Sequence, residues 1–254
     1  MKRFYKTVTT APDITGTGTT DTTGTGHAEG WRVLLDGRAI KTVGGRAQVV
    51  PSRTLAEAMA DEWRGQGEVI DPSAFVYRDM ADYALDVVVP DRGSARSALL
   101  RFAETDTLCY RADPDEPLYR HQQTVWEPVL ARIEARFGVS FRRVSGIIHR
   151  PQPAETLSRL AAHLAGLDDF QLAALRNLAS LAASLSIGLL ALETEGEAEA
   201  LWTLANLEED WQAELWGKDE EALALRAIRG ANFLAAARFA TLAQNRTAGE
   251  GAED

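Results

Sequence analysis

The chain has 254 residues, a formal net charge of −10 and a pI near 5.0. Nucleic-acid binding draws much of its affinity from Lys and Arg on phosphates, and anionic membrane surfaces select the same side chains. With 37 acidic against 27 basic residues, the chain suits neither partner. Cys109 is the only cysteine, which rules out an internal disulfide and fits a reducing compartment.

Met1-Lys2-Arg3 leads straight into Phe4-Tyr5-Lys6 with no apolar stretch behind the charges, so no secretory signal is read. Residues 13–29 form a Thr/Gly tract and are expected to be a loop. Trp31, Val33 and Leu35 then alternate with Arg32 and Leu34, and Asp36-Gly37 is a strong hairpin signal. Ala39 to Val43 is predicted as the return strand, and Ala47 to Val50 as a third. Thr54 and Glu57 fit a capping box opening a helix on which Leu55, Met59 and Trp63 share a face.

Beyond about residue 80 the pattern becomes helical. Two short strand candidates, 107–111 and 139–148, could join the first sheet. Helices are predicted over Gln122 to Phe137, Glu155 to Leu164, Phe170 to Leu192, Glu197 to Trp216 and Glu220 to Leu242, with a polar tail after Gln244. The uncharged run from Asn177 to Leu192 is shorter than the ~20 residues a membrane span needs and reads as a buried helix. The expected fold is therefore α+β. A small β-meander and helix layer fills 1–90, and an all-α bundle fills 91–254.

The segment from Leu201 to Gly217 carries more apolar surface than one packed face needs. Drawn as one helix, Leu201, Leu204, Leu207, Trp211 and Leu215 form a core stripe that also contains Glu208. Trp202, Glu209 and Trp216 form a second stripe, with Ala205 and Gln212 between the two. Either both stripes are packed and Glu208 finds a buried donor, or the second is exposed and docks a partner, a use in which Trp is enriched. Pattern alone leaves both readings open.

Catalytic chemistry finds little support. His27, His121, His149 and His163 have no metal-ligand spacing, so no metal site is expected. Gly217-Lys218 is followed by Asp219 where a phosphate loop needs Ser or Thr, and the Thr/Gly tract lacks the Gly-Lys ending, so no nucleotide or other cofactor is expected. Glu208 and Glu209 are adjacent and point about 100° apart on a helix. The rival enzymatic reading is a hydrolase using Glu208 or Cys109; a general peptide-binding adaptor is another.

Several blocks occur together in order. They are FYK at 4–6, LDGR at 35–38, Glu62-Trp63-x-x-Gln66, ETDTLCYRA at 104–112, Gln122-x-x-x-Trp126-x-Pro128, Leu207-Glu208-Glu209-x-x-Gln212 and Trp216-Gly217. The set resembles the assembly-chaperone family that acts on the α subunit of the F-type ATP synthase. The chain departs from the family in the Thr/Gly insertion and in Val43, which stands where a proline usually follows Lys-Thr. The resemblance implies a non-enzymatic chaperone that binds the unassembled α subunit until the β subunit replaces it. It implies no nucleic acid, no nucleotide and no membrane insertion. A monomer is expected, cytoplasmic in bacteria and in the mitochondrial matrix in eukaryotic relatives. Trp202, Glu208, Glu209, Gln212 and Trp216 are the candidate partner-binding residues.

Overall fold

The computed structural model describes residues 1–13, 30–146, 150–217 and 219–244. The Thr/Gly tract beyond Asp13, His27, His149, Lys218 and the polar tail lie outside these residues. The chain forms two compact units, one of Met1–Pro90 with the segment from Arg238, the other of Asp91–Ala237. The architecture is α+β, as the sequence predicts.

In the first unit, β1 (Val8–Pro12), β2 (Trp31–Leu35) and β3 (Arg38–Ala39) form an antiparallel sheet in that order. The Asp36-Gly37 turn has positive φ at both residues, 47° and 78°, as a two-residue hairpin of the I′ kind demands. The Asp36 carboxylate accepts the Thr7 amide at 2.8 Å, the Lys6 amide at 3.1 Å and the Thr7 hydroxyl at 2.9 Å. These donors, Thr7 first, hold its carboxyl below the usual carboxylate range. LDGR and FYK are thus two halves of one turn.

The third strand expected over Ala47 to Val50 does not form; only isolated bridges join Trp31 to Val50 and Lys41 to Ala47. Two aspartates draw this loop away. Asp82 accepts the Val43 amide at 3.1 Å and the Gln48 side-chain amide, while Asp86 accepts the Gly44 amide at 2.7 Å and the Thr42 hydroxyl at 2.8 Å. The Val43 amide bond is one that a proline could not make.

Helix α1 (Arg53–Arg64) buries Leu55, Met59 and Trp63 against the sheet, as predicted. Its cap is Ser52 rather than Thr54. The Ser52 hydroxyl accepts the Leu55 amide at 3.0 Å, and Glu57 is engaged with Arg64 and the Thr10 hydroxyl instead of closing a box. The Glu62 carboxylate accepts the amides of Tyr77 at 2.6 Å and Arg78 at 3.0 Å, at the start of α2 (Val76–Tyr83). Gln66 accepts the Asp71 amide at 2.7 Å. The Glu-Trp-x-x-Gln block therefore organises the turn between two helices.

The second unit contains α3 (Arg92–Glu104), β4 (Tyr110–Arg111), α4 (Pro117–Phe137), β5 (Val144–Ser145), α5 (Ala154–Ala165), α6 (Asp169–Ala182), α7 (Leu185–Glu193), α8 (Ala198–Ala205) and α9 (Leu207–Trp216). It also holds most of α10 (Glu220–Gln244), whose turns from Arg238 belong to the first unit. β4 and β5 pair parallel with each other in a sheet of their own.

The predicted helix over Phe170 to Leu192 is two helices. Ala183 takes the left-handed conformation (φ 48°) and the Ser184 hydroxyl caps α7 through the Ile187 amide. Asp106, fully buried, fixes that break by accepting the Ser186 amide at 2.9 Å and the Leu108 amide at 3.1 Å. Burial pushes its carboxyl above the usual range.

Asp106→Ala is expected to lower unfolding free energy by about 2 kcal/mol or more, because two buried amides lose their acceptor, read as a fall in the urea midpoint. Glu62 supplies a pH test. Desolvation outweighs its two amide bonds and raises its pKa from 4.5 to about 7. Between those values the folded chain keeps a proton that the unfolded chain has released, so this group's contribution falls as pH rises through that window. The stability of the wild type relative to Glu62→Gln should therefore drop between about pH 5 and pH 7.5 in paired urea titrations.

Candidate functional site

The predicted continuous helix over Glu197 to Trp216 is broken at Asn206, which has φ −102° and ψ 19°. The Asn206 side-chain amide donates to the Trp202 carbonyl at 2.7 Å and satisfies the end of α8. A wheel drawn across the break misplaces everything after it. Trp202 and Trp216 do not share a stripe, and each half-helix has its own surroundings.

Trp202 is 8% exposed. Its ring lies 5.5 Å from Phe233, with the Arg229 guanidinium over its face at 5.7 Å. Gly230 leaves room for it, since a Cβ there would lie 2.8 Å from the indole nitrogen. Trp202 thus joins α8 to α10 and presents no free face. Helix α9 is the reverse case, burying only Leu207. Trp216 is 78% exposed and Leu215 60%. The nearby α10 residues Leu223, Leu225 and Ile228 are exposed as well.

Three polar attachments hold α9 and its approach. The Trp126 indole donates to the Leu204 carbonyl at 2.8 Å. The Gln122 side-chain amide donates to Glu208 at 2.5 Å, while its oxygen accepts the Ala112 amide at 2.8 Å. Arg226 of α10 forms a two-pronged ion pair with Asp210, one arm at 2.7 Å. Glu208 is therefore tethered to α4. Glu209 makes no hydrogen bond or ion pair among the described residues.

These elements enclose an open cleft of about 630 Å³. Val125, Leu204, Leu207 and Leu223 give it apolar walls, and Glu209, Gln212 and Trp216 also line it. The His121 ring, stacked on Trp211 at 5.4 Å, lines one side. The structure thus brings Glu209, Gln212 and Trp216 to one cleft, sets Glu208 behind it on Gln122, and places Trp202 in the packing beneath α10. Sequence reasoning missed the contributions of His121, Val125, Leu223 and Arg226. The one available signal was the exposed apolar spacing of Leu223, Leu225 and Ile228 on α10, which fits no single buried stripe.

The cleft offers binding surface and little chemistry. Among the described residues no group of three or more His, Cys, Asp and Glu side chains could hold a metal ion. Cys109 is buried, and burial drives its thiol pKa upward, the opposite of an activated nucleophile.

The sequence model of the ATP12 chaperone protein matches residues 2–134, more than half of the chain. The chain belongs to the ATP12 chaperone family. A crystal structure of Atp12 from Paracoccus denitrificans is 34% identical, with a TM-score of 0.83, over 96% of this chain and 98% of that one. A crystal structure of an Agrobacterium tumefaciens protein is 38% identical with the same TM-score, over 95% of this chain and 85% of that one. The mitochondrial protein atp12 of Schizosaccharomyces pombe is 28% identical over 202 residues, 75% of this chain and 69% of that protein. The ATP12 model stops within α4, so it covers the cleft wall of His121 and Val125 but not α9 or α10.

Because Trp216 packs on so little, Trp216→Ala should leave the thermal midpoint unchanged within about 0.5 kcal/mol of stability. Gly230→Val, which pushes into Trp202, should lower stability by about 1–3 kcal/mol, measured by urea unfolding.

Proposed function

We propose that this member of the ATP12 chaperone family serves ATP synthase assembly by holding the unassembled α subunit through the α9 cleft and the exposed start of α10. The observation that carries this reading is Trp216, 78% exposed beside Leu215 at the mouth of an apolar cleft. A contiguous apolar patch edged by polar groups is the usual mark of a protein-binding surface. An α subunit without its neighbours exposes interfaces of the obligate kind, which are large and apolar.

In this reading Trp216 and Leu215 supply the apolar anchor, and Glu209 and Gln212 set register at the rim. Glu208 contributes by fixing α9 to Gln122. Trp202 contributes by keeping α8 against α10. Binding that covers the α-subunit interface lowers the free concentration of its aggregation-prone form by mass action, and the β subunit displaces the chaperone by competing for the same surface. The cycle requires no nucleotide. Among the described residues no helix is long and apolar enough to cross a membrane. The chaperone is proposed to act as a monomer in the aqueous compartment where the α subunit is made, the cytoplasm in a bacterium.

Co-expression with the α subunit alone tests the reading. The α subunit should remain soluble and co-purify with the chain, and added β subunit should release it. Trp216→Ala and Glu209→Lys should each weaken capture by about tenfold or more while the thermal midpoint stays in place. A soluble, correctly folded chain that never retains α subunit would remove the proposal.

A further inference from the structure

We propose that the first unit carries a second docking groove, which takes an extended protein segment bearing carboxylate side chains beside an apolar one. The groove measures about 610 Å³ and runs along β3 and the two residues after it. Its lining includes Phe4, Tyr5, Arg38, Lys41, Trp63 and Arg78. Every one of these residues falls within the part of the chain that the ATP12 family model matches.

Three sequence blocks that the α9 cleft does not use meet here. FYK and LDGR stitch the Asp36 turn, and Glu62-Trp63-x-x-Gln66 organises the start of α2, yet each also sends a side chain to this groove. Phe4 is 62% exposed, its ring edge-on to Tyr5 at 5.4 Å. Holding a large aromatic ring in water gives the fold nothing, whereas a partner's apolar side chain would cover it.

Charge selects the occupant. Asp36 is the acidic residue of the lining, and its carboxylate already accepts from Lys6 and Thr7. Arg38 and Lys41 are exposed and form no ion pair among the described residues. Arg78 is already paired with Asp82 at 3.6 Å and Asp79 at 4.0 Å, which leaves Arg38 and Lys41 as the open cations. The groove is thus locally basic in a chain of net charge −10. The Trp63 indole N–H is buried behind the lining without an acceptor, so its resonance reports on the groove rather than contacting the occupant. Carboxylates complement the exposed, unpaired Arg38 and Lys41.

Shape narrows the choice further. β3 closes one side of the sheet, and no strand pairs its outer edge among the described residues, so a short extended backbone can align along Arg38–Ala39 as far as the Lys41–Ala47 bridge. A small free anion would leave Phe4 uncovered, and a nucleic acid would be repelled by the chain's overall charge. A protein segment that alternates acidic and apolar side chains meets both requirements.

The test uses the full chain and two fluorescein-labelled peptides, Glu-Phe-Glu-Leu-Glu-Phe-Glu and Lys-Phe-Lys-Leu-Lys-Phe-Lys, followed by anisotropy. The acidic peptide should bind and the basic one should not reach the groove. The double variant Arg38→Glu/Lys41→Glu should weaken acidic-peptide binding by about tenfold or more, and Trp216→Ala should leave it unchanged. The Trp63 indole N–H resonance, assigned with Trp63→Phe, should shift on titration with the acidic peptide. That titration is read on the wild-type chain and stands if the double variant fails to fold. Equal binding of both peptides, loss through Trp216→Ala instead, displacement by inorganic phosphate, or an unmoved Trp63 resonance would each overturn the proposal. Neither peptide comes from the α subunit, so this outcome is independent of the α9 cleft's.

Discussion

Gln122 is fully buried in α4 and both ends of its side-chain amide are occupied. The oxygen receives the Ala112 amide just after β4, and the nitrogen reaches the Glu208 carboxylate in the first turn of α9. Its own carbonyl accepts the Arg111 guanidinium at 3.1 Å. Arg111 in turn meets Glu127, which Arg143 also engages. Hydrogen bonds to a charged partner each contribute about 1.5–3 kcal/mol, and a buried amide left unpaired costs a similar amount. This chain of contacts fixes where α9 begins. Attached at its first turn and by the Asp210–Arg226 pair, α9 has little else to pack on. The exposure of Leu215 and Trp216 follows from that mode of attachment.

The same logic explains why the family's blocks look as they do. ETDTLCYRA, Gln122-x-x-x-Trp126 and Leu207-Glu208-Glu209 lie far apart in sequence. Arg111, Gln122 and Glu208 join them, while Asp106 of the first block reaches Ser186 and Trp126 of the second reaches Leu204. In the other unit, Asp36 joins LDGR to FYK and the Tyr5 hydroxyl donates to the Trp63 carbonyl, while Glu62 and Gln66 accept the amides of Tyr77 and Asp71. Most of these residues act inside the fold, as acceptors for backbone amides that would otherwise be orphaned. Exposed members include Glu209, Gln212 and Trp216 in one unit and Phe4 and Arg38 in the other.

What was legible in the sequence was local. Asp36-Gly37 announced its hairpin because only a narrow set of residues tolerates two positive φ values in succession. The i, i+4, i+8 spacing of Leu55, Met59 and Trp63 announced the packed face of α1. What was not legible was imposed from a distance. β1 has no clean alternation and exists because β2 pairs with it. The break before α7 depends on Asp106, which lies 80 positions from Ser186. Asn206 ends α8 in a sequence otherwise rich in good helix formers, and that one break separates the buried Trp202 from the exposed Trp216. The cleft walls contributed by α4 and α10 could not be assigned, because a single sequence records no pairing between His121 and Trp211 or between Asp210 and Arg226.

The division of α10 has a consequence for the order of events at synthesis. Its turns from Arg238 complete the first unit, where the Ser52 hydroxyl donates to the Leu242 carbonyl at 2.5 Å across 190 positions of chain. Phe239 stacks on Tyr77 at 6.4 Å and is fully enclosed. While the ribosome is still making the helical unit, the sheet and α1 have been translated but lack this covering segment. Domains usually mature in the order they emerge from the tunnel. Here the earlier one is kept waiting, and closing so long a loop makes its completion a slow, late step.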